Sequence, residues 1–112
     1  MHGLNNLMKE RGMNMNRITP AELQKKLENG DVLNIIDVRE TDEVRTGKIP
    51  DAVNIPLGLL EFRMNELDKT NQYFIVCQSG GRSSQAVRFL EYQGFDVVNM
   101  DGGMSAWEGT LQ

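Results

Sequence analysis

The sequence predicts an α/β fold with a mostly parallel central sheet and helices on both faces. Three observations carry this. Short apolar runs of strand length alternate with segments patterned as helices along most of the chain. The apolar runs are continuous rather than alternating with polar residues, as expected of strands buried on both faces. No internal repeat or low-complexity linker breaks the alternation. At 112 residues the chain fits one domain. A domain of that size buries about two-thirds of its unfolded surface without disulfide or metal staples.

Taken in order, residues 1 to 16 hold four methionines, four asparagines and two glycines, and they read as a flexible extension preceding a domain over residues 17 to 112. Thr19-Pro20-Ala21-Glu22 starts a helix: Thr caps, Pro suits the first helical position and Glu22 completes a capping box. Leu23 and Leu27 form its packing face, and Gly30 ends it. Val32 to Ile36 reads as a buried strand running into Asp37-Val38-Arg39-Glu40, with a helix expected through Val44. Lys48 to Ala52 is a turn, and Val53 to Pro56 a short strand stopped by proline. From Leu57 onward, Leu60, Met64 and Leu67 mark the stripe of a further helix. Tyr73 to Val76 is the next strand. Residues 84 to 93 are expected as a helix, with Ala86, Val87, Phe89 and Leu90 on its core face. Val97 and Val98 supply the last strand. Met104 to Trp107 makes a short helical turn, with Trp107 as a core anchor.

Composition narrows the partners. Hydrophobic content of 39% and charged content of 25% are those of an ordinary globular protein. A net charge of −4 and a pI near 4.9 argue against nucleic acid or an acidic membrane surface. No apolar stretch approaches membrane-spanning length. The first 20 residues lack the apolar region of a secretory signal. One cysteine allows no internal disulfide and no multi-cysteine metal site, so a reducing, cytoplasmic setting is expected. The single histidine, His2, falls in the extension, and the chain offers no Cys–His pair.

Chemistry concentrates in Tyr73-Phe74-Ile75-Val76-Cys77-Gln78-Ser79-Gly80-Gly81-Arg82-Ser83-Ser84. In a parallel α/β sheet, ligands bind beyond the carboxyl ends of strands, and Cys77 sits at such an end. If the loop wraps the thiol, the backbone N–H groups of residues 78 to 83 converge with the following helix N-terminus into an anion-binding nest. The glycines permit the positive φ a tight cradle needs. That environment favours thiolate, the nucleophilic form. Each part alone has a plainer explanation. A lone cysteine is usually a small buried hydrophobe, Ser-Gly-Gly a turn and Arg82 a solvated cation. Their order (strand, Cys, glycine turn, Arg, helix) is not explained by packing. Asp37 and Arg39 lie at the same sheet edge and are expected to support the site by charge-assisted hydrogen bonds between loops, without taking part in chemistry.

Over residues 17 to 109 the chain resembles the single-domain rhodaneses. The resemblance rests on Asp37-Val38-Arg39-Glu40, on Gly47-x-Ile49-Pro50-x-Ala52-x-Asn54-Ile55-Pro56, on the Cys77 to Arg82 loop, and on Gly102-Gly103 with Ala106-Trp107. Lys48 departs from the pattern, since many members carry His there. The resemblance implies a rhodanese-like fold and a ping-pong sulfurtransferase without metal or organic cofactor. The Cys77 thiolate would take the sulfane sulfur of an anionic donor such as thiosulfate, release sulfite and pass the sulfur from a persulfide to cyanide or a thiol. Gln78, Ser79, Gly80, Gly81, Arg82 and Ser83 would bind the donor.

Other functions share parts of this pattern, and an inactive structural domain is opposed by the intact cysteine and loop. Phosphatases and arsenate reductases related to this fold have one residue more between Cys and Arg than the Gln78-Ser79-Gly80-Gly81 present here, so the tighter loop favours sulfur. A sulfur-carrier or regulatory module loaded by a protein partner would carry the same cysteine loop, and is separated by whether the isolated protein reacts with thiosulfate.

Overall fold

The computed structural model describes residues 15–112. His2 and the rest of the expected extension up to residue 14 lie outside the described residues; Met15 is buried in the core and the Asn16 carbonyl accepts the Asn99 N–H at 2.9 Å.

Among the described residues, five strands form one parallel sheet: β1 Arg17–Ile18, β2 Asn34–Asp37, β3 Val53–Asn54, β4 Gln72–Val76 and β5 Asp96–Met100, in the order β1-β5-β4-β2-β3. The α-helices are α1 Pro20–Glu28, α2 Thr41–Val44, α3 Leu60–Arg63 and α4 Gly81–Tyr92. The expected α/β architecture with a parallel sheet is therefore what forms. Along β4 and into the loop, Tyr73, Ile75 and Cys77 face one core with Leu60 of α3 and Ala86, Val87 and Leu90 of α4. Phe74 and Val76 face the other, with Leu23 of α1, Ile49 and the partly buried Trp107. The period-two alternation of a strand thus feeds a helical layer on each side.

Three expectations are corrected. The strand after α1 begins at Asn34, because Val32 lies in the preceding loop, 96% exposed. The helix expected from Leu57 is broken into a 3₁₀ turn at Leu57–Leu59, the short α3 and a second 3₁₀ turn at Met64–Glu66. Its stripe survives, since Leu60 is buried and Leu57, Met64 and Leu67 pack beside it, while Gly58 and Asn65 favour continuous helix weakly. Helix α4 starts at Gly81, three residues before the expected 84, for reasons that lie in the functional loop.

The strand order decides where a site can form. The connection after β2 runs outward to β3, while the one after β4 runs to β5 on the opposite side. The carboxyl ends of β2 and β4 therefore flank a topological switch point, where an open α/β sheet leaves a crevice. Asp37 pairs in register with Val76, so the segments starting at Val38 and Cys77 leave the sheet side by side.

Candidate active site

Cys77 follows the last residue of β4 and is 1% exposed. The chain then reverses through Gln78, Ser79 and Gly80. Gly80 is the N-cap of α4 at φ +106°, a left-handed conformation that a residue with a Cβ adopts at a cost. No side chain caps the helix. The Gly80 N–H instead donates to Cys77 Sγ at 3.0 Å, and the backbone N–H groups of Ser79 and Ser83 also act on the sulfur. The Gly80 carbonyl accepts from Ser83 Oγ at 3.1 Å, Ser84 Oγ at 2.7 Å and the Ser84 N–H at 3.1 Å. These bonds draw Arg82, Ser83 and Ser84 into the first turn of α4. Serine's weak helix preference conceals this in the sequence.

Burial pushes the Cys77 thiol pKa up. Hydrogen bonds from the Ser83 hydroxyl and from the N–H groups of Ser83, Gly80 and Ser79 outweigh it, and the net effect is downward. The Ser83 hydroxyl, 3.3 Å from the sulfur, serves either charge state: it accepts from S–H while donating to the Gly80 carbonyl, or turns its one proton from that carbonyl to S⁻. The sulfur thus lies in a cradle of donors at a helix N-terminus, an arrangement that stabilises negative charge on it and on a group bound beyond it.

The rear of the loop is held by the chain after β5. The Met104 N–H donates to the Cys77 carbonyl at 2.8 Å and the Ser105 N–H to the Gln78 carbonyl at 2.9 Å. Ser105 Oγ donates to that same Gln78 carbonyl at 2.8 Å, and Gln78 Nε2 donates to Ser105 Oγ at 3.1 Å. Gly103 sits against this junction at φ +62°, and a Cβ there would lie 2.5 Å from the Cys77 carbonyl oxygen.

The front is held by the chain after β2. Asp37 and Arg39, 0% and 2% exposed, form a multiply hydrogen-bonded pair, with Arg39 Nη2 2.8 Å from Asp37 Oδ2 and Nε 3.0 Å from Oδ1. Arg39 also donates to the Gly47 carbonyl at 2.8 Å, the Glu43 carbonyl at 3.4 Å and Gln78 Oε1 at 3.3 Å. Asn54 Nδ2 donates to the carbonyls of Asp37 and Arg39, each at 2.9 Å. Arg82 pairs with Glu43 of α2 in a two-pronged contact of 2.5 and 2.7 Å. Arg82's hydrogen bond and the Glu40 N–H hold the Glu43 carboxyl down at about 2, and Glu43 raises Arg82 in turn.

All the residues expected at the site therefore meet at one sheet edge: Cys77 at the base, Gln78 to Ser83 around it, Asp37 and Arg39 beneath the neighbouring loop. Sequence reasoning missed Glu43, Gly103 and Ser105. Glu43 reads as one more surface acid, and its only signal is its place one helical turn beyond Arg39. Gly103 lies in a recognised motif, but what requires a glycine there is its approach to Cys77. Among the described residues, no group of three or more His, Cys, Asp or Glu side chains could hold a metal ion.

Comparison with known proteins fits this geometry. The sequence pattern of the rhodanese-like domain matches residues 19–110. The chain belongs to the rhodanese-like domain family. It is 45% identical over 97 residues to YtwF of Bacillus subtilis (strain 168), provisionally named a sulfurtransferase, covering 87% of this chain and 94% of the relative. It is 40% identical over 104 residues to YrkF of the same organism, provisionally named a sulfur carrier protein, covering 92% of this chain but 56% of the relative. The crystal structure of a rhodanese-like domain protein from Staphylococcus aureus superposes with a TM-score of 0.83 at 40% identity, covering 88% of this chain and 97% of that one.

Proposed function

We propose that this rhodanese-like domain is a sulfurtransferase whose nucleophile is Cys77. The observation carrying the proposal is the donor cradle around Sγ, in which the Gly80 N–H lies 3.0 Å from a sulfur whose pKa is lowered. In the first half-reaction the thiolate attacks the sulfane sulfur of thiosulfate. A new S–S bond forms on Cys77, the old S–S bond breaks, and sulfite leaves with its electron pair. The persulfide anion, extending outward by one S–S bond of about 2 Å, lies among the same amides, which need no reorganisation to receive it. In the second half-reaction cyanide or a thiolate attacks the outer sulfur, leaves as thiocyanate or a persulfide, and restores the Cys77 thiolate. Gln78, Ser79, Gly80, Gly81, Arg82 and Ser83 line the donor's approach. Asp37 and Arg39 act by holding the loops. A lone thiol that works by sulfur transfer suits a reducing cytoplasm.

Intact-protein mass spectrometry tests this. Treatment with thiosulfate is expected to add the mass of one sulfur atom, removable by cyanide and absent from Cys77→Ser. An adduct that persists in Cys77→Ser overturns the assignment of the nucleophile. Similarity to a sulfur carrier supports a second reading, in which a protein partner loads Cys77. An unmodified wild type after thiosulfate, with sulfur gained from a persulfidated protein, favours that carrier.

A further inference from the structure

Glu43 stands where charge can be selected. It lies on α2, outside the cysteine loop, and its carboxylate spans both amino groups of Arg82. The pair is neither buried nor free in water, with side chains 35% and 34% exposed. Its geometry is built from below. Arg39, locked on buried Asp37, donates to the Glu43 backbone carbonyl, and the Glu43 carboxylate accepts the Glu40 N–H at 2.9 Å. Glu43 is thus fixed at backbone and side chain, and Arg82 has a partner before any donor arrives. An anion entering the cradle meets a compensated guanidinium with a carboxylate beside it. Repulsion from that carboxylate grows in proportion to the charge on the donor, whereas the backbone amides of residues 79, 80 and 83 act mainly at the sulfur.

We infer that Glu43 is a positioning residue that sets donor specificity: by occupying Arg82 it disfavours doubly charged sulfur donors relative to singly charged or neutral ones. The inference rests on the sulfurtransferase reading and deepens it. The donor class it assigns is organic: monoanionic thiosulfonates and low-charge persulfides over the thiosulfate dianion.

The experiment compares wild type, Glu43→Gln and Glu43→Asp, each checked for folding by circular dichroism, using thiosulfate and an aryl thiosulfonate as donors. The readout is kcat/KM for the donor, which in a ping-pong reaction is independent of the acceptor. Glu43→Gln, close in shape and uncharged, is expected to raise kcat/KM for thiosulfate about five- to tenfold. For the thiosulfonate, with half the charge, the rise should be roughly the square root of that factor. The advantage should shrink as salt is added, and Glu43→Asp, which keeps the charge but is one methylene shorter than the two-pronged contact with Arg82 requires, should rise less than Glu43→Gln. Equal changes for both donors, a loss in Glu43→Gln, or a rise in Glu43→Asp matching that in Glu43→Gln would overturn the inference while leaving the sulfurtransferase reading intact. A wild type that takes sulfur from neither donor overturns both.

Discussion

At Cys77 two opposing effects meet on one atom. Burial favours the neutral thiol, and four hydrogen bonds favour the thiolate and prevail. The expected consequence is a rate of persulfide formation that rises with pH as the thiolate forms, with a midpoint below that of an ordinary cysteine. Ser83→Ala removes one donor and should move that midpoint upward, lowering the rate near neutral pH while the plateau at high pH changes less. Stopped-flow loading across a pH series measures it, and an unmoved midpoint would show that the backbone amides alone set the thiol. The cysteine and its loop were legible in the sequence because glycines, serines and an arginine after a buried strand have few packing explanations. Glu43 was not legible, because an acid on a short exposed helix acquires meaning only from what folds against it.

Among the elements, the loop after β5 has the most exacting fit. Gly103 presses on the carbonyls of Cys77 and Gln78, where the close atoms are backbone and cannot swing aside. Gly103→Ala should therefore cost about 1–3 kcal/mol and displace the cradle, so that sulfur loading falls with stability. Gly58→Ala is the matched control, because a Cβ there meets nothing within 4 Å. Thermal denaturation of the two variants beside a loading assay separates them, and equal stability would show that the close approach is relieved elsewhere. Periodicity revealed the strands β2, β4 and β5 because their apolar runs are continuous. It missed β1, two residues long, and placed the start of α4 late, because Ser83 and Ser84 find their hydrogen bonds on the Gly80 carbonyl rather than in any pattern of residue types.

For the molecule as a whole, stability and site share one buried ion pair. Asp37 and Arg39 close the switch point between β2 and β4, and Arg39 reaches the Gly47 carbonyl on one side and Gln78 on the other. Arg39→Met strands the fully buried Asp37 carboxylate and should destabilise the fold by about 3–5 kcal/mol, measurable by urea denaturation. Asp37→Asn with Arg39→Met removes both charges and should recover part of that loss; no recovery would mean that Arg39 contributes mainly through the carbonyls it binds. The fold was legible because strand–helix alternation admits few topologies, and the supporting place of Asp37 and Arg39 was legible with it. Their burial as a pair was not, since Asp-x-Arg alone is an ordinary polar turn. The back wall also sets an order of events during synthesis. Residues 103 to 105, which fix the carbonyls of Cys77 and Gln78, leave the ribosome well after the cysteine does. The nascent chain therefore carries a thiol whose backbone is not yet clamped, and the cradle around Cys77 closes only once β5 and the loop after it have docked.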